Sequence, residues 1–464
     1  MNTMTLEQFA DFVPPRPTYA LFGDPVEHSV SPQLHRLLLE SHGLPCDYVA
    51  VRVPAPELGR ALQLARGKIR GCNLTIPHKV AAIPHLDALS PAAQALQSVN
   101  TIAIDEQGRL TGHNTDYDGF ARSLQRDGID PAGRHALLLG CGGVSNVMAH
   151  YLLESGAASL TVAARNPEKA AGKLRQWQRA FPAARLRLIS LAEPAPACQI
   201  VCNATPVGMF PREEESPIAA LPRDAIYCFD AIYNPPATAL LRLAEQAGVP
   251  GRDGLYMLVM QAARAQEIWQ GLTFTPEQIE SVLQSLYADL ALQRLRQVHG
   301  KENLVLCGFM GSGKTTVGRR LSQLSSWPLI DCDQRLEQEA GQSINAIFAT
   351  QGEEAFRRME HALLLRLSQE KGQILSTGGG SVLRPDNVRA LQKTGFLVYL
   401  NPPLWRILEN LQGDDSRPLL SGPDREETIA SLRRARDPVY RAACQIEVTE
   451  SDLSAILTQL LRHI

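Results

Sequence analysis

The sequence predicts an α/β protein with parallel sheets, divided into about three compact units. Two glycine-rich loops, Gly140-Cys-Gly-Gly143 and Gly308-Phe-Met-Gly-Ser-Gly-Lys-Thr315, each follow an apolar β-type run and precede a helical pattern. A further stretch, 18 to about 118, alternates β and α patterns (YALFGDP, CDYVAVRV, IRGCNLTI, VNTIAIDE) without a phosphate loop of its own. The chain of 464 residues also exceeds what one core organises, at roughly 100 to 200 residues per domain.

Composition excludes several classes of function. A formal charge of −2, with acids and bases interspersed, leaves no basic footprint for nucleic acid. The first residues carry acids where a secretory leader needs a basic then apolar start, and no apolar stretch reaches the ~18 residues of a membrane span, so a cytoplasmic protein acting on small molecules is expected. The nine cysteines form no CxxC pair and no Cys/His cluster with zinc spacing. They read as free thiols, with Cys198 and Cys202 in a core. The first dozen residues read as a frayed extension, and 293–302 as a linker ahead of the second glycine loop.

The first loop follows His135-Ala-Leu-Leu-Leu139 and opens an amphipathic helix, the context in which backbone N–H groups and a helix N-terminus meet a pyrophosphate. Ser145 replaces the third glycine of the usual GxGxxG and is small enough for close packing. The second strand, Ser159 to Ala164, ends in Arg165-Asn166, where an NAD-binding domain would carry an acid for the ribose 2′-hydroxyl. An arginine there suits a 2′-phosphate and hence NADP(H). The expected dinucleotide contacts are Gly140, Gly142, Gly143, Arg165 and Asn166.

Upstream lie four polar clusters: His28-Ser-Val-Ser-Pro32, Gly71 to Lys79, Ser98-Val-Asn-Thr101 and His113-Asn-Thr-Asp116. Reducing a ketone needs a donor for the developing alkoxide, and a lysine oriented by a carboxylate supplies one, which singles out Lys79 and Asp116. The hydroxyls and amides of Ser29, Ser31, Asn73, Thr75 and Asn100 suit a small polyol acid. These segments, with Asn203-Ala-Thr205, Gly208-Met209 and Asp253-Gly-Leu-Tyr-Met257 leading to Gln261, resemble the shikimate dehydrogenase family from Tyr19 to about residue 290. The resemblance implies NADPH-dependent reduction of 3-dehydroshikimate to shikimate, with Lys79 and Asp116 the catalytic pair. It implies that Ser29 and Ser31 bind the carboxylate, that Asn73, Thr75, Asn100, Tyr233 and Gln261 line the ring pocket, and that Thr205 and Gly254 join Arg165 at the cofactor. It further implies a substrate domain at 18–118 completed by 253–292, and a Rossmann NADP-binding domain at 119–252.

The second loop fits GxxxxGK[ST] at every fixed position. Its nucleotide cradle is Gly311, Ser312, Gly313, Lys314, Thr315 and Thr316, with Lys314 reaching the β- and γ-phosphates and Thr315 a ligand for Mg²⁺. The carboxylates of Asp331-Cys-Asp333 are expected to point the same way from alternate positions of an extended strand, one supporting Mg²⁺ and the other orienting a hydroxyl. Together with Ala355-Phe-Arg357, Thr377-Gly-Gly-Gly380, Arg417-Pro-Leu-Leu420 and Arg436-Asp-Pro-Val-Tyr440, this order resembles shikimate kinase from about Asn303 to the C-terminus. The resemblance implies a P-loop α/β domain with a parallel sheet at 303–464, using ATP. Asp333 would be the partner and base for the shikimate hydroxyl, Asp331 would join Thr315 at the metal, Arg357 and Arg436 would hold the carboxylate beside Gly379, and Arg417 would lie in a lid over ATP.

The leading expectation is therefore a bifunctional enzyme of aromatic biosynthesis that takes 3-dehydroshikimate to shikimate 3-phosphate with NADPH, ATP and Mg²⁺. One half kept as a ligand-binding or regulatory module, or a dehydrogenase preferring quinate, are the alternatives.

Overall fold

The computed structural model describes residues 3–27, 29–412 and 425–464. The chain divides into two compact units, Met1–Leu283 and Gln284–Ile464.

The first unit contains two sheets. Strands β1 (Thr18–Gly23), β2 (Asp47–Arg52), β3 (Gly71–Leu74), β4 (Ala88–Leu89), β5 (Thr101–Ile104) and β6 (Leu110–His113) form a mixed sheet in the order β2-β1-β3-β5-β6-β4. Its antiparallel pairs are β3 with β5 and β5 with β6. Helices α1 (Leu6–Asp11), α2 (Ser31–Glu40), α3 (Leu58–Ala65), α4 (His78–Ala81), α5 (Pro91–Leu96) and α6 (Thr115–Arg126) accompany it. Residues 5–12, expected to belong to a frayed extension, are ordered by a short helix. Thr5 and Gln8 close a reciprocal cap on α1, Leu6 and Phe9 are buried, and the Lys68 ammonium donates to the Phe9 and Ala10 carbonyls. Two buried apolar side chains and a satisfied cap hold this short helix.

The second sheet is wholly parallel, with β7 (His135–Leu139), β8 (Ser159–Ala164), β9 (Leu186–Ser190), β10 (Ile200–Asn203), β11 (Tyr227–Asp230) and β12 (Gly251–Arg252) in the order β12-β11-β10-β7-β8-β9. This is a doubly wound order, with its reversal between β7 and β10. Helices α7 (Gly143–Glu154), α8 (Pro167–Ala180) and α9 (Ala239–Gln246) belong to this half. Cys198 and Cys202 are buried, as their surroundings predict. Next comes α10 (Leu255–Gln270), which returns to the first sheet: Trp269 stacks on Tyr19 with centroids 4.7 Å apart, and its indole N–H donates to the Ile102 carbonyl.

Of the expected linker, residues 293–297 are helical and 298–302 lie outside any helix or strand. Helix α11 (Pro276–Gln297) begins in the first unit, where Glu280 pairs with Arg126, and the boundary falls inside it. Ala288, Ala291, Leu292 and Leu295 lie buried with Leu304, Val317, Leu321 and Phe396 in a core of the second unit. Spacings of three and four place these four residues on one face. Charged residues between them hide that stripe in a reading by composition.

In the second unit β13 (Asn303–Cys307), β14 (Leu329–Asp331), β15 (Ile374–Ser376), β16 (Gly395–Leu400) and β17 (Ile446–Val448) pair in parallel in the order β14-β15-β13-β16-β17. Its helices are α12 (Lys314–Leu324), α13 (Cys332–Ala340), α14 (Ile344–Leu367), α15 (Pro385–Thr394), α16 (Leu404–Asn410), α17 (Arg425–Ala443) and α18 (Leu453–His463). Among the described residues no helix is long and apolar enough to cross a membrane.

Leu295→Ala should destabilise the second unit by about 2–5 kcal/mol through the cavity it leaves, lowering the temperature at which that unit is inactivated by heat. An unchanged inactivation curve would return the end of α11 to the role of a linker.

Candidate active sites

In the first unit, Lys79 sits in the single turn of α4, and the His78 ring at its N-terminal end is held by the Val53 carbonyl at 2.7 Å. Asp116 lies in the first turn of α6. The Lys79 ammonium meets the Asp116 carboxylate at 2.7 Å, with side chains 32% and 16% exposed, so the pair is shielded yet reachable. The alignment of α6 is set by Asn100, whose Oδ1 accepts from the Thr115 backbone N–H at 2.7 Å.

Around this pair Asn73, Asn100 and Gln261, three of the five expected ring-pocket residues, belong to one hydrogen-bonded group. The Tyr48 hydroxyl donates to Asn73 Oδ1 at 2.8 Å, and Asn73 Nδ2 donates to Thr101 Oγ1 and the Asn100 carbonyl. Asn100 Nδ2 reaches Gln261 Oε1 at 3.5 Å, and the Thr115 hydroxyl reaches the same oxygen at 3.4 Å. Asn73, Asn100 and Gln261 are all buried, so the network orders the pocket floor as well as lining it. Tyr48 and Thr115 were missed by sequence reasoning: Tyr48 lies in an apolar β-type run, and within the His113–Asp116 cluster the carboxylate of Asp116 drew the assignment. Thr75 follows β3 and is half-buried, and its N–H donates to the Phe22 carbonyl. The Ser29 hydroxyl accepts from the Ser31 backbone N–H at 3.2 Å, and Ser31 opens α2, so the two serines share a helix N-terminus suited to an anion. Tyr233 stands apart from this group, in the segment after β11, where burial pushes its hydroxyl pKa up.

The first glycine loop leaves β7 at the reversal of strand order. Gly142 caps α7, and the Ser145 hydroxyl, wholly buried, donates to the Gly142 carbonyl at 2.6 Å, filling the place of the missing glycine. Gly140 ends against Thr205, whose hydroxyl donates to Asn203 Oδ1 at 2.7 Å. Gly254 caps α10 and donates its N–H to the Ile232 carbonyl. Arg165 is exposed at the end of β8. Asn166 is also exposed, and its Oδ1 is engaged as the cap of α8, accepting from Lys169 N–H at 3.0 Å, which leaves only its amide N–H₂ for a ligand.

In the second unit a pocket gathers Gly311 to Val317, Asp331, Asp333, Ser376, Thr377 and Gly379 with Pro402, Arg406 and Asn410. Gly313 caps α12 with φ 87°, a conformation that favours glycine and turns the loop's N–H groups inward. The Lys314 ammonium folds onto the Gly308 and Phe309 carbonyls, both at 2.9 Å. Thr315 Oγ1 donates to Asp331 Oδ2 at 2.6 Å and lies 3.2 Å from Ser376 Oγ. Ser376, another hydroxyl at this point, was missed because it reads as the end of an apolar strand.

The two carboxylates do not alternate along one strand. Asp331 ends β14 and caps α13 by accepting from Gln334 N–H, whereas Asp333 is already in the first helical turn. A β-to-α switch at a capping aspartate interrupts the period of two, yet both side chains still face the pocket. The glycine run explains itself by crowding. A Cβ at Gly378 would fall 2.6 Å from Asp333 Oδ1, and one at Gly380 would fall 2.7 Å from Arg357 Nη1. Arg357 pairs with buried Glu360 at 2.9 Å, and the Arg436 guanidinium lies 5.8 Å from the Phe309 ring centre. Tyr440, on the same helix as Arg436, donates to the Gly379 carbonyl. Arg417 lies outside the described residues.

Comparison with known proteins gives the family of each unit. Residues 21–102 match the family model of the shikimate dehydrogenase substrate binding domain. An NADP(+) shikimate dehydrogenase of Moorella thermoacetica is 40% identical over 261 residues, covering 54% of this chain and 87% of the relative. The chain belongs to the shikimate dehydrogenase family. The shikimate 5-dehydrogenase of Thermus thermophilus, solved with NADP(H) and shikimate, is similar at 37% identity and a TM-score of 0.52, over 58% of this chain and 98% of its own. A chorismate mutase/shikimate 5-dehydrogenase fusion protein from Clostridium acetobutylicum is similar at 31% identity and 0.52, over 58% and 97%. The second unit is a shikimate kinase domain, since residues 310–464 match that family model. One chain thus carries two enzymes of the shikimate pathway, a dehydrogenase and a kinase.

One buried group makes the dehydrogenase unit sensitive to pH. Burial raises the Asp230 carboxyl to about 7, against hydrogen bonds from Ile232 N–H, Thr238 and Asn203. The folded unit therefore keeps a proton that the unfolded chain, with an ordinary aspartate near ~3.9, has released. Its contribution to stability is present at acid pH and is lost as pH rises to about 7. Heat inactivation of the dehydrogenase should begin at a lower temperature near ~pH 8 than near ~pH 5, and Asp230→Asn should flatten that difference. A variant with an undiminished pH dependence would assign it to another group.

Proposed function

We propose that the first unit reduces 3-dehydroshikimate to shikimate with NADPH and that the second phosphorylates shikimate with ATP and Mg²⁺. The observation that carries this reading is the Lys79–Asp116 ion pair among hydrogen-bonded polar residues in a unit that also bears a dinucleotide loop. NADPH supplies the hydride. As charge develops on the ketone oxygen, the Lys79 ammonium donates to it, and Asp116 holds the ammonium in place and balances its charge. Ser29, Ser31 and the N–H groups opening α2 receive the substrate carboxylate, while Thr75, Asn100 and Gln261 meet the ring hydroxyls. Arg165 selects the cofactor by its 2′-phosphate, with Gly140, Gly142, Gly143, Asn166, Thr205 and Gly254 around the remainder.

In the kinase, the loop N–H groups and Lys314 hold the transferring phosphates, and Asp333 orients and deprotonates the acceptor hydroxyl. Arg357 and Arg436 pair with the carboxylate of shikimate, which passes beside Gly379. Thr315 and Asp331 form an all-oxygen donor set suited to a hard cation that keeps waters and shares phosphate oxygens, and these two residues would hold Mg²⁺. The ion would neutralise charge on the phosphates.

Incubation with 3-dehydroshikimate, NADPH, ATP and Mg²⁺ should consume NADPH and form ADP in equal amounts; NADPH loss without ADP would remove the kinase half of the reading. Lys79→Ala should lower dehydrogenase kcat by ~10²-fold or more with kinase turnover intact. Lys314→Ala should do the reverse. Loss of both activities in either folded variant would contradict two independent sites.

A further inference from the structure

A half-buried lysine stands beside the first glycine loop, and among the described residues no acid pairs with it. Lys173 lies on α8, and its ammonium donates to the Gly142 carbonyl. Among the described residues it enters no ion pair; the group acting on its charge is the Cys141 thiol, and burial lowers its pKa. Carrying a cation partly out of water with only a peptide oxygen for company is unfavourable unless a ligand completes the arrangement. The loop it touches faces open space, since a Cβ at Gly142 or Gly143 would meet nothing within 4 Å.

Its place in the fold indicates which part of a dinucleotide it meets. The pyrophosphate of a bound dinucleotide belongs at the N-terminus of α7, whereas α8 follows β8, at whose end the adenosine ribose falls in this architecture. Arg165 closes that strand just ahead of the cap Asn166, and on α8 Lys169 lies one helical turn before Lys173, so three cations follow one another from the end of β8 into α8. We infer that Lys173 is a ligand of the adenosine 2′-phosphate, acting with Arg165 and Lys169 to select the phosphorylated dinucleotide. The inference rests on the reading of this loop as an NADPH site. On binding, the ammonium exchanges the Gly142 carbonyl for a phosphate oxygen and gains a charge-assisted hydrogen bond that NADH cannot offer.

The test is steady-state dehydrogenase kinetics of the full chain with each coenzyme. Lys173→Met should raise the KM for NADPH roughly ten- to a hundredfold, leave the KM for NADH within about twofold, and be largely rescued by Lys173→Arg. Lys173→Gln keeps a donor for the Gly142 carbonyl but no charge, and must show the same selective loss even if the methionine variant folds poorly. Equal losses with both coenzymes in the glutamine variant, or an unchanged KM for NADPH, would overturn the assignment. Failure of the underlying reading shows separately: an unmodified chain that uses NADH as well as NADPH has no 2′-phosphate site to complete.

Discussion

Both phosphate loops hang from a strand that is hydrogen-bonded on each side within a parallel sheet. Strand β7 lies between β8 and β10, and β13 between β15 and β16. Residues Leu137 to Leu139 and Leu304 to Cys307 are completely buried. With both edges paired and both faces covered, these strands cannot slide without exposing every side chain they carry. Their carboxyl ends are therefore fixed points. The glycines that follow can be conformationally demanding, because the chain entering and leaving them is already placed. The same constraint sets the partners, since Thr205, Asp331 and Thr377 all follow or end strands adjacent to or one removed from the central one.

The dehydrogenase pocket is organised differently, by polar contacts within a mixed sheet. Asn73, within β3, pairs with Thr101 of β5, and Asn100 precedes β5 and orients the first turn of α6. In a buried setting each amide that lacks a partner costs more than a single hydrogen bond contributes, so the network tends to be complete or absent. That completeness holds Asp116, through α6, where Lys79 can reach it. Helix α10 closes the arrangement by bringing Gln261 and Trp269 from far along the chain to the same floor.

Crowding replaces networking in the kinase pocket. Gly378 and Gly380 leave room for the Asp333 carboxylate and the Arg357 guanidinium, so an acid and an arginine border the same turn. Glu360, buried and paired with Arg357, also accepts from Ser381 at 2.6 Å, which fixes the arginine's direction from below. Burying such an ion pair contributes little stability of its own; what it supplies here is geometry.

The sequence by itself determined the kind of protein. Glycine loops in strand–loop–helix context, the lysine and carboxylates of each unit, and the order of short polar segments are local patterns, legible because local sterics and hydrogen bonding set them. Tertiary structure decided the rest. It folded α11 onto the second core although its apolar stripe is interrupted by charge, it docked an N-terminal helix that composition marks as loose, and it broke the strand at Asp331 so that Asp333 reaches the pocket from a helix. It also placed Lys173, unremarkable in a polar helix, against the Gly142 carbonyl with no carboxylate partner among the described residues. These outcomes depend on contacts between residues distant in the chain, and no local period or motif encodes which buried face finds which partner.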